Sequence, residues 1–249
     1  VFSEAAYIQF QRYISGLVVS ENKSIEGINR LVVHESRNQS SLNRLLTESP
    51  FELAELNRAR LKLLGSQPVT QPKKYGVLSL DNTLLTHYGE HFEQIAYLYD
   101  HVQERYVWAH DLLTLHYSDD QTDYPVLFQL WQPPDLEKVE QGLRQAGVTL
   151  RANKQALKKQ EPHKWRKYLL GVWRRNQNKA GVAELYDSKF RLSEGLLQQW
   201  QQDHPALDLP VTFDSWFTQP GFCRFLDQEL NMAYVGTLTE SSEVVLASG

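Results

Sequence analysis

Apolar side chains recur three and four positions apart near the start of the chain: Phe10, Tyr13, Ile14 and Leu17 would form one stripe along a helix. The pattern predicts a helical region over residues 3–65, with short helices near 25–32 and 41–46. Ser49-Pro50-Phe51-Glu52 is a capping box with proline at the first helical position, so a further helix should run to Leu64 and end at Gly65. The stretch "GSQPVTQPKK", Gly65 to Lys74, combines glycine, prolines and polar residues as linkers do.

Beyond the linker the pattern turns strand-like. Segments 75–80, 94–99, 106–117 and 124–131 are rich in Val, Leu, Tyr and Trp with turns between them, and predict an antiparallel meander. A helix over 135–145 and a basic segment follow. Next come a helix with Leu192, Leu196 and Trp200 on one side, the strand "LPVTFD" ending at Asp214, a helix after Pro220 and the strand "MAYVGTL". Strands followed by alternating helix and strand predict an α/β layered domain over 75–249 behind an N-terminal helical region, 1–66. No internal repeat interrupts this order.

Composition narrows the class. A chain of 249 residues with 41% hydrophobic content can supply the core of one large domain, or of a domain with a helical appendage. No apolar run reaches the roughly 18 residues of a membrane helix, and the start lacks the basic-then-apolar layout of a signal peptide. A cytoplasmic location without membrane association is the expectation. The single cysteine, Cys223, cannot form a disulfide within the chain, and among Phe222, Phe225 and Leu226 it reads as a small core residue.

The net charge of −4 argues against a uniformly basic protein, yet residues 151–179 hold ten Lys or Arg against one acid, Glu161. Lys154, Lys158, Lys159, Lys164, Arg166, Lys167, Arg174 and Arg175 are interleaved there with Trp165, Tyr168 and Trp173. Such a density of cations would neutralise phosphates and release counterions, which predicts a DNA track. The alternative is a solvated helix face with its aromatics in the core. Arg30, Arg37 and Arg44 could add phosphate contacts, diluted by Glu26, Glu35 and Glu48.

Two strands are expected to end in aspartate, Asp81 and Asp214. Sites in open α/β sheets form where strand ends come together, so two carboxylates distant in sequence can meet. Magnesium prefers oxygen ligands and commonly takes one or two protein carboxylates, leaving room for water and phosphate. A strand-end Asp that caps a turn is the other reading, and the residues alone leave both open. His87 and His91 share the four-residue spacing of helical zinc sites, but Gly89 lies between them and no second pair follows. His110 and His116 share a strand face by parity and are expected to be neutral and hydrogen-bonded.

"GVLSLDNTLLTHYGE" and, downstream, "LPVTFDSWFTQPGFCRFLDQELNMAYVGTL" together resemble bacterial insertion-sequence transposases with an RNase H-like DDE core. Members carry one aspartate on the first core strand, often within Asp-Asp-Thr, and a second in a strand-end Asp-x-Trp-Phe-like turn. The resemblance implies an RNase H-like mixed sheet flanked by helices and an N-terminal DNA-binding region. It makes Asp81 and Asp214 the catalytic, metal-binding carboxylates for Mg2+ or Mn2+. Its implied partner is DNA, both transposon ends and target, with a homodimer in the synaptic complex. The implied reaction is cleavage at transposon ends followed by strand transfer.

Two departures stand out. Asn82 occupies the second position of Asp-Asp-Thr, where an amide could still offer a carbonyl oxygen to the metal. The third acid, a glutamate on a helix downstream of Asp214, is not reached, and Glu240 and Glu243 follow a strand instead. A fragment that is inactive by itself, or a decayed transposase that binds DNA without catalysis, is therefore the alternative expectation.

Overall fold

The computed structural model describes residues 2–31, 39–48 and 51–238. Its contacts divide the chain into two compact units, Val1–Gln71 and Pro72–Gly249.

The first unit holds α1 (Glu4–Val19), α2 (Ile25–Leu31), α3 (Gln39–Thr47) and α4 (Leu53–Gly65). Ser3 caps α1 by accepting from the Ala6 N–H. The apolar stripe expected to be buried on α1 is not the buried one. Gln9, Arg12 and Gly16 are buried, whereas Ile14 is 42% exposed. The reason is the way the helices meet. Ile28 of α2 packs so closely on Gly16 that a Cβ there would fall 2.2 Å from Ile28 Cγ2. The two terminal nitrogens of Arg12 donate to Gln9 Oε1 at 2.9 Å and Asn29 Oδ1 at 3.0 Å. Phe10 and Ile14 instead line an open apolar groove with Phe2, Tyr7, Leu56 and Leu63. Ser49 and Pro50 of the expected capping box lie outside the described residues, as do Arg37, Glu240 and Glu243; α4 begins behind Glu52, which makes no side-chain cap bond.

The second unit is built on a mixed sheet of β1 (Val77–Thr86), β2 (Ala96–Asp100), β3 (Arg105–Ser118), β4 (Asp123–Trp131), β5 (Val211–Phe213) and β6 (Tyr234–Gly236). The order is β2-β3-β1-β5-β6, with β4 also on β3. The strand-rich stretch is not a simple meander: β1 pairs antiparallel with β3 rather than β2. The other edge of β3 takes β2 along residues 105–109 and β4 along 111–118. β5 adds parallel to β1, and β6 parallel to β5.

One face of this sheet is dry. Leu78 and Leu80 of β1, Leu113, Leu115 and Tyr117 of β3, and Val211 and Phe213 of β5 are all buried. Helix α8 (Lys189–Asp203) packs on β3 and β4, its Trp200 ring stacked 6.4 Å from that of Tyr117. A second core gathers Val139 and Leu143 of α5 (Leu136–Gln145) with Trp165, Leu169 and Trp173 of α7 (Pro162–Arg175). Helix α6 (Leu157–Gln160) precedes α7, and α9 (Pro220–Arg224) follows β5. Cys223 on α9 is half-buried. The expected mixed α/β sheet flanked by helices is the architecture seen.

Candidate active site

The two aspartates are brought together by strand register. β1 and β5 run parallel with Leu78 opposite Val211, Ser79 opposite Thr212 and Leu80 opposite Phe213. Asp81 is the next residue on β1 and Asp214 the residue directly after β5, and neighbouring strands lie about 5 Å apart. Side chains alternate across a strand. Leu80 and Phe213 enter the dry face; Ser79 and Thr212 join hydroxyls on the other, at 3.1 Å, and Asp81 and Asp214 follow as exposed residues. Asp81 is not at a strand end: β1 continues to Thr86, because β3 is long enough to supply ladder partners from Leu115 down to Ala109. What ends beside Asp81 is β5, leaving the edge of β1 beyond Leu80 without its parallel neighbour.

Each carboxylate is steadied through one oxygen. Asp81 Oδ1 accepts from the Asn82 N–H at 2.7 Å. Asp214 Oδ1 accepts from the N–H groups of Trp216 at 3.0 Å and Phe217 at 3.3 Å, closing the turn after β5. Among the described residues neither acid is in an ion pair. Two carboxylates carried to neighbouring strand positions, each with Oδ2 unengaged among the described residues, are the kind of oxygen donors that suit a hard divalent cation. Among the described residues no group of three or more His, Cys, Asp or Glu converges on one point.

Asn82 is not brought together with this pair. By parity it points to the dry face, where its Nδ2 donates to Asp111 Oδ1 at 3.0 Å. Asp111 is buried and its Oδ2 lies 2.6 Å from Lys189 Nζ. The same ammonium sits 4.9 Å from the Trp131 ring centre and 5.3 Å from that of Trp216. These partners were not apparent from sequence. The available signal was Asp111 itself, an acid on the parity of Ala109, Leu113, Leu115 and Tyr117 in an otherwise apolar alternation.

The basic segment divides by depth. Trp165 and Trp173 are core residues, and Trp173 Nε1 donates to Val182 O at 2.8 Å. The bases surround this core. Lys158 reaches Glu140 Oε2 at 3.0 Å and Lys164 pairs with Glu161, while Lys154 is half-buried. Lys159, Arg166, Lys167, Arg174 and Arg175 are exposed and in no ion pair among the described residues. His110 is hydrogen-bonded on both nitrogens, to Glu93 O and to His87 Nε2, each at 2.8 Å. The Glu93 carbonyl can only accept, so His110 Nε2 carries a proton. His87 thus pairs with His110 rather than His91.

A family model described as DDE superfamily endonuclease matches residues 2–248. No curated protein and no solved structure gives a match.

Proposed function

The chain belongs to the DDE superfamily of endonucleases, whose substrate is DNA and whose members generally work with divalent metal ions, and from that premise we propose that Asp81 and Asp214 are the carboxylates that hold the metal of a transposase. The observation that carries this reading is the β1–β5 register, which sets the two acids side by side on the open face where β5 stops. Bound there, Mg2+ or Mn2+ would supply Lewis-acid activation of the attacking oxygen and stabilisation of the leaving one in phosphodiester cleavage. The protein's own contribution is positional. The Asn82, Trp216 and Phe217 N–H groups fix one oxygen of each acid and so aim the other outward. The exposed cations Lys159, Arg166, Lys167, Arg174 and Arg175 supply sequence-independent attraction for the phosphate backbone. Lys158 and Lys164 join them where their carboxylate partners yield, and half-buried Lys154 adds to the same charge. The helical unit, 1–66, serves as a DNA-binding region, and cleavage at transposon ends leads to strand transfer within a synaptic homodimer.

A second reading is DNA binding without catalysis, and it is favoured by the lack, among the described residues, of a third acid beside the pair. One experiment separates them. Mn2+ binding is followed by the paramagnetic resonance of the free ion, and nicking of supercoiled plasmid is measured with Mg2+ or Mn2+. The proposal expects binding that Asp81→Ala and Asp214→Ala each abolish, with metal-dependent nicking lost in the same variants. Binding without nicking supports the second reading, and binding indifferent to both substitutions ends the metal assignment.

A further inference from the structure

We infer that the buried Lys189–Asp111 pair is a common anchor that positions both active-site carboxylates from beneath the sheet; the inference rests on the metal-binding reading of Asp81 and Asp214.

Each carboxylate accepts a backbone hydrogen bond from a residue whose side chain ends on this one ion pair. On the β1 side, the Asn82 N–H holds Asp81 Oδ1 at 2.7 Å while the Asn82 amide donates to Asp111 Oδ1 at 3.0 Å. On the β5 side, the Trp216 N–H holds Asp214 Oδ1 at 3.0 Å while the Trp216 ring faces Lys189 Nζ at 5.3 Å. Phe190, the next residue on α8, stacks on the same ring with centres 4.8 Å apart and planes 5° from parallel. Asp111 and Lys189 close the circuit at 2.6 Å, with side chains 4% and 15% exposed. A shift of α8 would therefore move the Asn82 and Trp216 backbones together, and with them the oxygens they hold.

The placement of Lys189 calls for such a role. A lysine at the first position of a helix works against the helix dipole, which favours anions there. Burying an ion pair is also weak as a source of stability, since apolar residues of similar size often serve as well. What the pair provides that apolar residues would not is direction. Asp111 has one oxygen for the amide and one for the ammonium, and the ammonium lies against two indole rings at once. Asn82 is then a positioning residue: an amide is the group that can donate to Asp111 without bringing a second negative charge beside it.

The test uses the full chain with Mn2+ as the probe, reading affinity by paramagnetic resonance and folding by thermal melting. Lys189→Met/Asp111→Leu removes both charges together, so no unpaired charge stays buried. It should fold yet bind Mn2+ about tenfold more weakly, the scale of losing groups that orient metal ligands. A second variant covers failure of that one to fold. Asn82→Asp alone should weaken Mn2+ binding, and adding Asp111→Asn, which restores one acid and one amide against Lys189, should recover most of the loss. Wild-type affinity in a folded Lys189→Met/Asp111→Leu, or no recovery in the exchanged pair, overturns the anchor. If Asp81→Ala and Asp214→Ala also bind as the wild type does, the metal reading falls and the anchor with it; if they lose binding while the Lys189 variants keep it, the anchor alone is wrong.

Discussion

Asn82 and Asp111 meet on the buried face of the sheet, the amide nitrogen 3.0 Å from Oδ1, although the neighbour of Asn82 in the chain, Asp81, faces solvent on the other side. An acid at position 82 would therefore not enlarge the exposed carboxylate pair. It would remove a donor and place a second carboxylate where one lysine already serves one acid. Asn82→Asp is expected to lower the unfolding free energy by about 2–4 kcal/mol at neutral pH, measured by urea titration. Stability equal to the wild type would show that the site beneath the sheet takes up the extra charge.

Asp214 has a structural and a chemical task that substitution can separate. Its Oδ1 closes the turn through Trp216 and Phe217, which an asparagine oxygen can also do. Asp214→Asn should melt within about 0.5 kcal/mol of the wild type yet lose Mn2+ binding. Asp214→Ala should lose Mn2+ binding and about 1 kcal/mol of stability as well. Retained Mn2+ binding in the asparagine variant would assign Asp214 to the turn alone.

For the basic segment, the informative cations are the exposed ones in no ion pair among the described residues, because Lys158 already serves Glu140. Replacing Lys159, Arg174 and Arg175 with alanine should weaken DNA binding across sequences. The slope of log affinity against log salt should become shallower by about 0.9 for each lost phosphate contact. An unaltered slope would make this surface a solvated helix face and nothing more.

Glu140 predicts a pH dependence. Burial pushes its carboxyl up, but hydrogen bonds and charge from Lys158 and Arg144 outweigh that and hold it below the ordinary range. A depressed folded value means stabilisation that is complete above the unfolded carboxyl value of about 4.3 and is lost as pH falls through the lower folded one. The stability gap between the wild type and Glu140→Gln should be widest at neutral pH and should close in acid, as urea titrations at several pH values would show. A gap that widens in acid would contradict the sign.

Much of the architecture was legible in the chain. Apolar spacing and a capping box marked helices of the first unit, and runs rich in Val, Leu, Tyr and Trp between turns marked strands of the second, because helix and strand favour different spacings and residue types. Asp81 and Asp214 stood out as acids following apolar runs. Local signals did not reveal which stripe of α1 is buried, since the contact of Ile28 with Gly16 selects it. Nor did they reveal that β1 runs past Asp81, since its extension depends on ladder bonds from β3. The side of the sheet taken by Asn82 depends on the same extension, because only a strand that continues past Asp81 assigns a face to the next residue. The meeting of Lys189 with Asp111 and Trp216 joins a helix, a strand and a turn remote from one another in sequence. Spacing along a chain dictates which residues share a face of one element; only packing between elements decides which faces meet.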